Sequence, residues 1–413
     1  MSADPEHAGS GVSNRVILLL ALTCGVAVGN VYFPQAISPL VADALHVSAD
    51  SAALVVTATQ FGYAAGIFLL VPLGDRFPYR PLIVTLLGLS GLGLLAAGAA
   101  PGLAALVGAT AFVGVTTVVA PLAGPMAAGL VAGNRRGVVG GTLLSGSIGG
   151  MLLSRALGGT MGEWLGWRAP YLMSAALSLI MAMVLIRALP TTSPPSGQRY
   201  PALLAEPLRL LRTEPALRRS CFYQATVFAG FSAVWTGVAL LLTGPTYGMG
   251  AQAVGVLALV NAGTMLCTPF AGRQVDRRGP DAVNVVCILG VIASALVLAF
   301  GSLGGTPGLA TLALGTLLLD VAMQSGMVAN QVRIYALRPE ARSRVNTAYM
   351  TCAYLGGSVG SWAGARTYTY AGWLGVCTLV VLLAAAALVR SVRPGSPASP
   401  GSEGCRGRPA TGR

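Results

Sequence analysis

The feature that most limits this chain is where its charges are not. Of 413 residues only 26 are basic and 13 acidic. Between the charge-bearing breaks run apolar stretches close to the roughly 20 residues needed to cross a bilayer. Twelve can be read, at 16–40, 51–73, 82–99, 103–131, 138–161, 167–189, 219–242, 252–272, 282–303, 309–330, 345–368 and 373–389. A bilayer core offers no water to the backbone, so stretches of this kind are expected to be helices, which satisfy every N–H and C=O internally. The first is too long in its apolar core, and lacks a small-residue cleavage site after it, to be a cleaved signal peptide. The expected fold is all-α and integral to the membrane.

Composition removes several functions. No lysine occurs anywhere, which excludes a P-loop ATPase and any Schiff-base chemistry. Arginine without lysine, with abundant Ala and Gly, is the signature of a GC-rich bacterial genome. The net charge of +13 is not a nucleic-acid footprint, because the arginines stand in short breaks between apolar stretches. Of the 26, 23 fall on one side if the N-terminus is inside; Arg168 and Arg366 fall on the other and Arg155 lies within a stretch. By the positive-inside rule both termini are cytoplasmic, in a multi-pass protein of the bacterial cell (inner) membrane. The seven cysteines are scattered, with no Cys-x-x-Cys, and His7 and His46 stand apart. No metal site, cofactor or nucleic-acid partner is expected, and the chain is read as a monomer.

The chain also repeats itself. Gly74-Asp75-Arg76 with Arg80 follows the second stretch, and Gly272 with Asp276-Arg277-Arg278-Gly279 follows the eighth. Gly166-Trp167 opens the sixth and Gly372-Trp373 the twelfth. Both offsets are close to half the chain, so twelve transmembrane helices are expected in two pseudo-symmetric six-helix bundles, a plan common among transporters. The corresponding organisation is an N-tail at 1–14, a bundle at 15–189, a linker at 190–218, a second bundle at 219–392 and a disordered tail at 393–413. Within the linker, leucines alternate with arginines over 201–212. This pattern suits either a helix lying on the inner membrane surface or an ordinary connection.

These features resemble the major facilitator superfamily over nearly the whole length. The first repeat is similar to that family's Gly-x-x-x-Asp-Arg-x-Gly-Arg-Arg signature at Asp75, Arg76 and Arg80, with Val71, Pro78 and Tyr79 departing from it. The second matches at Gly272, Asp276, Arg277 and Gly279. The resemblance implies that these residues latch the inner ends of the bundles in an outward-facing state. In the fifth stretch, Gly150-Met-Leu-Leu-Ser154-Arg155-Ala-Leu-Gly158-Gly159 is similar to a glycine motif of proton-coupled exporters, with Ser-Arg in place of Gly-Pro. The implied type is a drug or sugar efflux proton antiporter. An arginine common in the fourth span of such exporters is replaced by Thr110.

Within the stretches the only carboxylate is Asp320 and the only arginine well inside is Arg155. A charge at bilayer depth costs about 2.5–3.5 kcal/mol on insertion scales, so such groups face the protein interior and carry a function or a partner. Asp320 is a candidate for taking up and releasing the coupling proton; alternatively it is tied to Gln324, Ser325 or a backbone carbonyl. Arg155 suits an anionic substrate, Asp320 or a helix-end carbonyl. The resemblance implies a cavity lined by spans one, four, seven and ten. Cavity candidates are Asn30, Tyr32, Gln35, Gln60, Tyr63, Thr117, Gln224, Trp235, Asn261 and Gln324. Prolines at 34, 121 and 125 are expected to kink spans one and four.

The reading is a proton-coupled exporter of small organic compounds, with substrate, protons and the lipid bilayer as partners. Its rivals are an importer of a small, possibly anionic, metabolite on the same fold and, more remotely, a membrane enzyme. No clustered carboxylates, histidine pair or activated nucleophile supports an enzyme. No charged ring or filter-like loop supports a channel.

Overall fold

The computed structural model describes residues 13–131, 135–190, 199–338 and 341–392, without the side chains of 128, 265–269 and 392. Expectations for both tails beyond those limits, for linker residues 191–198 and for Glu340 lie outside the described residues.

Fourteen helices are described: α1 (Asn14–Leu45), α2 (Ala49–Ala52), α3 (Leu54–Leu70), α4 (Tyr79–Gly98), α5 (Leu103–Thr116), α6 (Val119–Leu130), α7 (Arg136–Leu165), α8 (Ala169–Ala188), α9 (Tyr200–Thr213), α10 (Pro215–Thr243), α11 (Gln252–Val260), α12 (Thr264–Ala299), α13 (Gly305–Leu337) and α14 (Arg342–Val392). Two of them are double. α12 turns at Gly279 (φ 78°) and α14 at Gly372 (φ 63°). Positive φ suits glycine because it has no Cβ. Counting α2–α3, α5–α6 and α11 with the start of α12 as single passes gives twelve transmembrane crossings.

The duplication is visible in the packing. α1 lies against α7, and α10 against the first half of α14. In each pair glycine on one helix meets backbone on the other: a Cβ on Gly150 would collide with the Gly25 carbonyl, and one on Gly360 with the Ala229 carbonyl. Without a hydrophobic drive between helices in lipid, such close approach lets van der Waals contact hold them. The two halves meet through α7 on α11 and α3 on α14. The Gly-Trp pairs take the same conformation: Gly166 has φ 86° and Gly372 φ 63°, and Trp167 and Trp373 are both buried.

Proline acts differently in the two helices expected to kink. α1 is continuous through Pro34 and Pro39. Span four breaks into α5 and α6 at Thr117 and Val118. Pro121 has no N–H for the Thr117 carbonyl four residues back, and the Val119 N–H takes that carbonyl at 2.9 Å instead. Span eight also breaks, at the short 3-10 turn Asn261–Gly263.

The linker forms α9, which packs on α10 and α14. Leu203, Pro207 and Leu210 are buried, so much of its apolar face is spent on protein rather than on lipid. Glu206 holds Arg344 at 2.7 Å and Glu214 holds Arg338 at 2.9 Å. Asp281 accepts from both Arg219 and Arg333. These pairs lie on the arginine-rich face and are partly solvated, so each contributes little to stability.

Candidate functional site

Two buried charges meet one indole. Asp320, near the middle of α13, is 1% exposed and Arg155, on α7, 0%. Trp235 of α10 donates its Nε1–H to Asp320 Oδ1 at 3.2 Å, and Asn261 Nδ2 donates to Oδ2 at 3.1 Å. Arg155 stands with its Cζ 4.1 Å from the centre of the Trp235 ring. Its Nε and Nη2 both donate to Gln35 Oε1, at 3.0 and 2.8 Å. Tyr32 and Phe231 complete the enclosure, their ring centres 5.0 and 5.4 Å from Cζ.

The local sequence explains why these groups converge. Gly150 and Gly158 seat α7 on α1, while Gly159 seats it on α11. Arg155, between them, therefore points into the bundle rather than into lipid. Asn261 reaches Asp320 from the break in span eight, and its Oδ1 accepts from the Thr316 hydroxyl at 3.4 Å. Gln324 and Ser325, which the sequence offered as alternative partners, make no hydrogen bond to Asp320 among the described residues. The donors come from neighbouring helices, and no salt bridge joins Asp320 to Arg155 among the described residues.

On the arginine-rich side of this assembly lies a cavity of about 670 Å³. Tyr32, Tyr63, Phe228 and Tyr354 line its deep end. The Tyr32 and Tyr354 hydroxyls are 3.2 Å apart, one from each half. Tyr354 also stacks edge-on against Tyr63 (4.5 Å) and Phe228 (5.0 Å). The walls differ in polarity. Val28, Ile67, Leu143, Leu144, Ile148 and Met151 form an apolar wall from the first half. Gln224, Gln324, Gln331, Arg342 and Asn346 give the second half a polar one, with Met323, Met327 and Met350 among them. On the opposite face the halves are joined. Glu163 Oε2 accepts the Ala251 N–H at 2.7 Å, where α11 begins, and Asp50 lies 3.8 Å from Arg366.

The ten cavity candidates therefore divide. Tyr32, Tyr63, Gln224 and Gln324 line the cavity. Gln35, Trp235 and Asn261 belong to the charged assembly, and Gln60 accepts from Ser232 at 3.1 Å across the halves. Asn30 and Thr117 are turned into the packing of the first half. Asn30 donates to Thr117 Oγ1 and Ser178 Oγ, and the Thr117 hydroxyl, at the helix break, returns to the Ala27 carbonyl. Beside spans one, four, seven and ten, spans two, five and eleven supply walls of the cavity. Tyr354 and Met350, four residues apart on α14, were the overlooked helical-face signal.

The two signature copies are unlike. Gly74 is buried beneath Tyr79 and Leu122, Asp75 is half-buried, and Arg80 donates to the Ile186 carbonyl, while Arg76 is exposed. Gly272 faces open space, Gly279 makes the left-handed turn, and Asp276, Arg277 and Arg278 are exposed. Pro78 explains part of the difference. It turns the chain at φ −56° and ψ 135°, where the second copy uses glycine.

A family model described as Major Facilitator Superfamily matches residues 18–361 and 247–410. A putative uncharacterized transporter of Escherichia coli (strain K12) is 34% identical over 93% of this chain and 96% of its own length. A probable transporter of Streptomyces coelicolor is 33% identical over 91% and 87%. A protein of Streptomyces lividans named for chloramphenicol resistance is 29% identical over 65% and 68%. Among solved structures, the nucleoside transporter NupG superposes with a TM-score of 0.72 at 13% identity, covering 91% of this chain and 98% of its own. The human organic anion transporter MFSD10 gives 0.64 at 17%, with the same coverage.

Proposed function

This chain belongs to the major facilitator superfamily, and from that premise we propose that it exports small amphipathic organic compounds across the bacterial cell membrane in exchange for protons. The observation that carries the proposal is Asp320. It is a carboxylate at bilayer depth, between the halves, held by two neutral donors rather than locked in a salt bridge. Such a group changes its proton affinity when it passes from a dry site to water. Alternating access supplies that change, as the halves rock about the aromatic floor at Tyr32 and Tyr354.

The cavity fits the substrate class. One wall is apolar, the other carries amides, and methionines adapt to varied shapes. The relative named for chloramphenicol resistance agrees with export of a small organic compound. In this reading the arginine-rich face is cytoplasmic, both termini are inside and the structure is inward-open. Asp75 and Asp276 then serve as parts of an inner latch that is released in this state, which accords with the exposure of Asp276.

A second reading, import of an anionic metabolite, is favoured by one feature: Arg155 Nη1 has no partner among the described residues. Everted vesicles from a pump-deficient host separate the two. Export predicts compound accumulation that follows an imposed proton gradient, and a broadened resistance profile in whole cells. Asp320→Asn is expected to lower gradient-driven transport at least tenfold while exchange of substrate without a gradient persists. Gradient-driven transport unchanged in Asp320→Asn would sink the coupling role.

A further inference from the structure

Around Arg155 the buried groups left without partners are all donors. Arg155 offers five N–H groups in a planar fork, yet its only acceptor among the described residues is one oxygen, Gln35 Oε1. Nη1 has no acceptor among the described residues, nor has Nε2 of Gln35, the other end of the amide it bonds. Both Arg155 and Gln35 are fully buried. A buried donor left unmet is costly, and more so if charged. Asp320 is not the missing acceptor: its two oxygens are turned to Trp235 and Asn261.

We propose that Arg155 and Gln35 are the recognition pair for a carboxylate, and that the transported compounds are amphipathic acids whose apolar part lies against Tyr32, Phe231 and Trp235. The proposal rests on the transport reading above and is independent of its direction. A carboxylate presents two oxygens in the plane that a guanidinium fork matches. A cation would meet donors and a positive charge, and a neutral compound would offer the unmet N–H groups no charge-assisted bond. Access is built into one residue. The Tyr32 ring lies under the guanidinium and also lines the cavity. Separation of its hydroxyl from that of Tyr354 opens the floor of the cavity onto Arg155.

The test uses the full chain, purified in detergent, with 2-naphthoate, 3-phenylpropionate and 4-phenylbutyrate, each beside its neutral amide and its amine. Binding is read by tryptophan quenching and by the shift in thermal unfolding. At least one acid is expected to bind tenfold or more tightly than its amide, with the amines weakest. Arg155→Gln should shrink that preference below threefold, and Arg155→Lys should retain part of it. Gln35→Glu is the decisive variant, because it supplies the carboxylate from within: unfolding should move to higher temperature while acid binding is lost. It also serves if Arg155→Gln does not fold. Amides binding as tightly as acids would overturn the proposal and leave transport standing. So would acid binding undiminished in Gln35→Glu, or the absence of binding by every acid at millimolar concentration.

Discussion

Trp235 is the residue on which the charged assembly turns. Its ring face is set against a cation and its N–H against an anion. A desolvated cation–π contact is worth about 2 kcal/mol, and a hydrogen bond to a charged group about 1.5–3 kcal/mol. The two can be taken apart. Trp235→Phe keeps an aromatic face but removes the donor to Asp320. We expect the protein to fold, with proton-driven transport reduced about tenfold. Trp235→Leu removes both and is expected to lower the unfolding temperature as well, read by a thiol-dye unfolding assay. Equal effects from the two variants would mean that the ring face adds nothing to the N–H, and transport unchanged in Trp235→Phe would mean that the N–H contributes nothing. The sequence alone exposed Asp320 and Arg155, because a charge inside an apolar run needs no alignment to be seen. It did not expose their partners. Trp235 lies 85 positions from Asp320 and Gln35 120 from Arg155, and such pairings depend on how helices rotate against one another, which no local pattern records.

At the scale of elements, glycine decides which helices touch. Gly149 and Gly150 are neighbours in α7, but a Cβ on Gly149 would meet open space and one on Gly150 the α1 backbone. Gly150→Val is therefore expected to cut the yield of folded protein severely. Gly149→Val should leave yield and thermal unfolding within a few degrees of the parent, as measured by fluorescence-detected size exclusion. The twelve crossings were legible as stretches of the right length, and the duplication as paired Asp-Arg and Gly-Trp clusters. The interruptions were legible only in part: prolines marked span four but also span one, which is continuous, and none marked the break in span eight. Span four breaks because Pro121 denies the Thr117 carbonyl its helical partner, while Pro34 is carried inside a continuous α1. The same residue type gives opposite results because a proline breaks a helix only where the surroundings reward the freed groups. Here the hydroxyl of Thr117 finds the Ala27 carbonyl.

At the scale of the whole molecule, one face is sealed and the other open. The seal is made of few, specific contacts between halves: the Glu163 carboxylate on the first amide of α11, Asp50 beside Arg366, and the tyrosine pair beneath them. The Glu163 contact is the strongest of these by kind, since a carboxylate at a helix N-terminus gains both a charge-assisted hydrogen bond and the helix dipole. Glu163→Ala should therefore shift the population away from the structure described here. A cysteine at Met327, inside the cavity, reports the state, and one at Trp164, exposed on the sealed face, reports sidedness. With a membrane-impermeant maleimide, Met327→Cys should label from the arginine-rich face, in everted vesicles, and Trp164→Cys from the other, in right-side-out vesicles. Adding Glu163→Ala should slow labelling at Met327 severalfold without changing it at Trp164. Faster or unchanged labelling at Met327 would mean that Glu163 does not hold the seal, and labelling of both sites from one side would refute the assigned orientation.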